Sequence, residues 1–62
     1  MFISIWNKKT KKYLNLKAVE HIYNDSLMIV GNTTKSAFAI ETKHKKTYYN
    51  KELYSLDFIH EE

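Results

Sequence analysis

The apolar residues of this chain come in short runs, each cut off by a polar cluster before a helix could form. The interruptions are Asn7–Lys12, Asn24–Ser26, Gly31–Ser36 and Lys43–Lys46. Between them lie segments rich in Ile, Val, Tyr, Phe and Trp, residue types that suit a pleated, half-buried surface. Regular spacing of such segments points to a small antiparallel sheet or a partly open barrel of about five strands. With 62 residues the chain holds one domain, spanning 1–62. Hydrophobic residues are 44% of it, enough to support a core.

The first segment, Phe2-Ile3-Ser4-Ile5-Trp6, places Ile3 and Ile5 on one face and Phe2, Ser4 and Trp6 on the other. Both faces are largely apolar, which suits a central strand. The lysine-rich stretch to Lys12 reads as a hairpin tip, and Tyr13-Leu14-Asn15-Leu16 as the returning strand, with Trp6 beside Tyr13. Val19–Tyr23 reads as a strand and Asn24-Asp25-Ser26 as a turn. Leu27–Val30 follows as a buried strand stopped by Gly31-Asn32. Ser36–Thr42 alternates with Phe38 and Ile40 inward, and Thr47-Tyr48-Tyr49 is short but β-prone.

Residues 50–62 read two ways. One is a single helical turn near 50–53, with Asn50 as N-cap, followed by a strand; the other is a short C-terminal helix. Glu61 and Glu62 argue against the helix, because its C-terminus favours cations. The expected core is Ile3, Ile5, Leu14, Leu16, Val19, Ile22, Leu27, Ile29, Phe38, Ile40, Leu53, Leu56 and Phe58.

The run Phe2–Asn7, then Tyr13-Leu14-Asn15-Leu16 and Val19–Tyr23, resembles small uncharacterised β-rich proteins of low-GC Gram-positive bacteria and their phages. This resemblance implies a β-rich fold and a phage or mobile-element origin, and it transfers no functional residue. The stretch from Val19 through Leu27–Val30 to Phe38–Ile40 also resembles the sheet of LytTR-type DNA-binding domains, but the basic reading loops of that family have no counterpart here.

Cysteine is absent, so disulfides, thiolate metal sites and cysteine nucleophiles are excluded. This fits a cytoplasmic protein. No apolar run spans a membrane. The one glycine rules out glycine-rich phosphate loops. Serines and acids are scattered without a His–acid arrangement, so no catalytic residue, cofactor or small-molecule substrate is indicated. His21 and His60 could meet across a sheet with Glu61 or Glu62, but no local ligand motif supports a metal.

Net charge is +3, and all ten basic residues are lysine. Lysine attracts polyanions without the bidentate reading that arginine provides. Lys8, Lys9, Lys11 and Lys12 crowd one turn beside Trp6 and Tyr13; Lys43, Lys45, Lys46 and Lys51 crowd another beside Tyr48 and Tyr49. Lysines interleaved with aromatics suit sequence-tolerant nucleic-acid binding. The leading expectation is nonetheless a non-enzymatic protein–protein interaction or regulatory module, a homodimer in solution, with Tyr49, Tyr54 and Phe58 as its interface. Nucleic-acid binding through the lysine turns is the alternative.

Overall fold

The computed structural model describes Met1–His60. It contains six strands: β1 (Phe2–Asn7), β2 (Lys12–Leu16), β3 (Val19–Val30), β4 (Thr33–Thr42), β5 (Lys46–Asn50) and β6 (Tyr54–His60). They form two antiparallel three-stranded sheets, a first with order β2-β1-β6 and a second with order β3-β4-β5. The fold is thus mainly β, with six strands among the described residues instead of about five, and these form no closed barrel.

The β1–β2 hairpin has the register read from the sequence, with Trp6 opposite Tyr13 and Asn7 opposite Lys12. Its tip is set by Asn7. The Asn7 side-chain Oδ1 accepts from the Lys9 and Thr10 amides at 3.0 and 3.1 Å, and its carbonyl accepts from the Lys11 amide at 2.8 Å. Lys11 takes a left-handed φ of 59° to close the loop.

β3 is one continuous strand, which corrects the turn expected at Asn24–Ser26. Between Tyr23 and Ser26 the pairing with β4 slips by a residue, so those polar residues are absorbed as a bulge. A bulge accommodates an extra residue and sharpens the twist without ending the ladder. The reversal comes at Gly31-Asn32, between the paired Val30 and Thr33. Gly31 has φ +64° and Asn32 is not left-handed, the pattern of a type II′ hairpin turn. A Cβ at Gly31 meets no atom within 4 Å, so only backbone strain opposes a side chain there. Gly31→Ala is expected to lower stability by about 1 kcal/mol, read as a reduced urea midpoint at unchanged slope.

The C-terminal alternatives resolve to strand. Residues 51–53 form a tight turn in which Asn50 Oδ1 accepts from the Glu52 amide at 2.8 Å and the Asn50 carbonyl accepts from Leu53. Asn50 therefore caps as expected, but the turn does not propagate into a helix. No helix occurs among the described residues, and Glu61 and Glu62 lie outside them.

The core lies between the sheets. Ile3 and Ile5 from β1 cluster with Val19 and with Phe38 and Ile40 from β4; Leu16, Ile22, Tyr49, Tyr54 and Leu56 pack around them. Five expected core residues are instead exposed. Leu14 and Phe58 lie on edge strands of the first sheet, Leu53 is in the turn, and Leu27 and Ile29 are 67% and 75% exposed. The last two have the right alternation, but the β3–β4 hairpin outruns the first sheet, so no described element covers them. The molecule is correspondingly elongated, 38 × 25 × 17 Å.

Candidate nucleic-acid interface

Alternation along β1 sends Ile3 and Ile5 into the core and turns Phe2, Ser4 and Trp6 outward. The register of the first sheet brings outward side chains of its edge strands beside them: Tyr13 opposite Trp6, Phe58 opposite Ser4, and His60 opposite Phe2. The result is an unbroken row of five rings. Phe2 stacks with His60 at 5.4 Å between centroids, and His60 with Phe58 at 6.2 Å. Phe58 meets Tyr13 at 6.1 Å, and Tyr13 meets Trp6 at 4.8 Å.

Tyr13 holds the row together by reaching across β1. Its hydroxyl donates to Asp57 Oδ2 at 3.1 Å. Asp57 is the extra residue of a β6 bulge, placed where the pairing shifts between Ser4 and Ile5. Ser55 donates to its other carboxylate oxygen at 2.8 Å. The hydrogen bond to Asp57 holds the Tyr13 phenol above its ordinary pKa, with slight desolvation and the carboxylate charge adding to it. Ser4 donates to Asn15 Oδ1 at 2.7 Å beneath the rings. Tyr13 and Phe58 remain about half exposed.

The β1–β2 loop adjoins the Trp6–Tyr13 end of the row. Lys8 is tethered there: its Nζ donates to the Lys51 carbonyl at 3.1 Å and its amide to the Leu53 carbonyl at 2.8 Å. Lys9, Lys11 and Lys12 are exposed. The ion pair found among the described residues joins Lys35 to Glu52 instead. Lys17 lies beside Phe2, at the opposite end of the row.

The second lysine turn does not join the first. β5 separates them, with Lys43–Lys45 before its first residue and the 51–53 turn, against which Lys8 rests, after its last. Lys51 therefore belongs spatially with the first cluster. Lys46 is engaged within its own sheet, its ammonium 4.1 Å from the centre of the Tyr23 ring and 5.4 Å from that of Tyr48. Tyr23 also donates to Glu41 at 3.2 Å and packs on His21 at 4.4 Å. These side chains flank the fully buried Ala39, which pairs with both Tyr23 and Tyr48. Lys46 and Tyr48 thus finish the outer surface of the second sheet.

Of the three aromatics expected at an interface, only Phe58 faces outward. Tyr49 stacks on Phe38 at 5.4 Å and Tyr54 meets Tyr49 edge-on at 5.3 Å, so both pack against the core. Burial pushes the Tyr49 phenol pKa up, with Tyr54 adding a smaller contribution. Phe2 and His60 belong to the ring row although the sequence marked neither for nucleic-acid binding; His60 stood out only beside His21, which lies on β3 in the other sheet. Their signal was the outward register Phe2-Ser4-Trp6 combined with the Phe58–His60 spacing. Among the described residues, His, Asp and Glu nowhere gather in threes suited to a metal, and no helix is long and apolar enough to cross a membrane.

No family model matches this chain, and no curated protein or solved structure matches it significantly.

Proposed function

We propose that this protein is a non-enzymatic binding module that takes single-stranded nucleic acid on the outer face of its first sheet, with little regard to sequence. One observation carries the reading: five rings in continuous contact lie on a face that no other described element covers, with lysines at its end that join no ion pair among the described residues. An uncovered aromatic face is costly in water, and bases can stack on such rings whatever their identity. Lysine without arginine suits this division of labour, since point charges attract phosphates while the rings hold the bases. Asp57 repels phosphate from the middle of the face. The backbone of a bound strand would therefore run along the lysine side while its bases lie on Tyr13, Phe58 and Trp6.

The test is fluorescence anisotropy of labelled single- and double-stranded oligonucleotides at 50 and 200 mM salt. Three phosphates neutralised by Lys9, Lys11 and Lys12 give a log–log salt slope of about −2 for a single strand, or roughly 20-fold weaker binding at the higher salt. Single strands are expected to bind more tightly than duplexes, because stacked base pairs offer no free faces. Absence of binding at 50 mM, or a preference for duplex, defeats the proposal.

A second reading, a protein–protein interaction or regulatory module, is favoured by a separate observation. The β3–β4 hairpin projects with Leu27, Ile29 and Val30 exposed along an open strand edge. Such edges accept strands from other chains.

A further inference from the structure

Four strand edges are open in this fold, and they differ in how they are protected. β2 begins with Lys12 and β5 with Lys46, and both are only five residues long. β6 carries Asp57 at its bulge. Charges, shortness and bulges are the usual means of preventing edge-to-edge association. β3 is the longest strand, with 12 residues, and its protection is confined to its first half. The two pairing slips in β3 fall at Val19–His21 and Tyr23–Ser26; from Ser26 to Val30 the ladder with β4 is regular. Those five residues, Ser-Leu-Met-Ile-Val, carry no charge and no proline. The segment is therefore an edge in regular register with no charge, proline or bulge, and its side chains Leu27 and Ile29 are 67% and 75% exposed.

We infer that a second copy of this chain occupies this edge, pairing Ser26–Val30 antiparallel with itself about a two-fold axis at Met28. The second sheets of the two copies then join as one six-stranded sheet. In that register Leu27 of each copy lies opposite Ile29 of the other. The four side chains share one face, because residues directly opposite in a ladder do. The segment is thus self-complementary, as a two-fold interface requires. It is also neutral, so the net charge of +3 on each chain is not focused at the contact. A compact monomer of this mass exposes about 4,200 Å², whereas this chain exposes 4700 Å². The excess, about 500 Å² per chain, belongs to the molecule as a whole and goes with its elongation, to which the exposed end of the β3–β4 hairpin contributes. The dimer edge is distinct from the aromatic face of the first sheet, so the inference stands or falls independently of nucleic-acid binding.

Sedimentation equilibrium over a range of micromolar concentrations provides the test. The wild-type chain is expected to shift from 7.4 kDa toward twice that mass as concentration rises. Ile29→Lys should weaken the association at least about tenfold, since it places a charge in the middle of the pairing edge. A cross-link keeps the idea testable should that variant fail to fold. The chain has no cysteine, so Met28→Cys places a single thiol on the proposed axis. Mild oxidation should convert it rapidly to a disulfide-linked dimer, while Asn32→Cys in the hairpin turn should form no disulfide. A wild-type chain that remains a monomer overturns the inference. So does a dimer indifferent to Ile29→Lys, or equal cross-linking through Asn32→Cys. Strand addition by an unrelated protein would show as a monomer that binds its partner only when Ile29 is intact, which also overturns self-pairing.

Discussion

Replacing Phe38 by alanine should remove about half of this protein's stability or more. Phe38 is 1% exposed and is the largest of the fully buried side chains. It stacks on Tyr49 and packs with Ile3, Ile5, Val19 and Ile40 in the single cluster between the sheets. Removing a buried phenyl group costs about 3–5 kcal/mol, through lost transfer energy and the cavity left behind. A domain this small is stable by roughly 3–9 kcal/mol in all, so one substitution can exhaust the margin. Far-UV circular dichroism with a urea titration reads the result directly. Lys43→Ala is the matching control, since Lys43 is exposed between β4 and β5 and lies outside the dimer edge, and it should shift stability by no more than about 0.5 kcal/mol. A Phe38→Ala chain that melts with the wild type would show that Phe38 does not fill the space between the sheets.

The second large effect concerns the aromatic face. Changing Tyr13 and Phe58 together, as Tyr13→Ser with Phe58→Ala, should weaken single-strand binding by at least roughly 30-fold, since each stacked base contributes about 1–3 kcal/mol. Both rings are about half exposed, so the core survives the change. The salt slope should stay the same, because Lys9, Lys11 and Lys12 remain in place. The complementary variant, with those three lysines changed to alanine, should flatten the slope and leave the stacking contribution. Anisotropy at two salt concentrations separates the two contributions. Unchanged affinity in the Tyr13–Phe58 variant would reduce the binding to nonspecific charge attraction and remove the role of the rings.

Several features were legible in the residues alone. The alternation of Ile3 and Ile5 against Phe2, Ser4 and Trp6 identified both faces of β1. The pairing of Trp6 with Tyr13 followed from the polar loop between them. Phe38 and Ile40 were inward as their alternation indicates, and Gly31-Asn32 marked the reversal between β3 and β4. Other features misled for definite reasons. Asn24-Asp25-Ser26 has turn-forming chemistry, but a neighbouring strand long enough to span it held it in the ladder as a bulge. Asn50 has capping chemistry and does cap a turn, yet the residues after it pair with β1 instead of winding on.

The candidate site divides in the same way. Lysines beside aromatics at the β1–β2 loop were visible in the chain, because they are neighbours in sequence. The row from Phe2 to Trp6 was not, because it draws on strands joined only by the register of β6 on β1. Nor was the separation of the two lysine clusters, which depends on the direction in which β5 runs.

What the sequence determined by itself is therefore local: which segments are extended, where they reverse, and which side chains share a face. These follow from side-chain shape, turn chemistry and the two-residue period of a strand, all of which act between near neighbours. Only the tertiary structure decided which of those faces is covered. Leu27 and Ile29 alternate as cleanly as Phe38 and Ile40, yet the first pair extends beyond the opposing sheet while the second lies beneath it. Burial depends on where a distant strand ends, and the pattern within a segment carries no information about that.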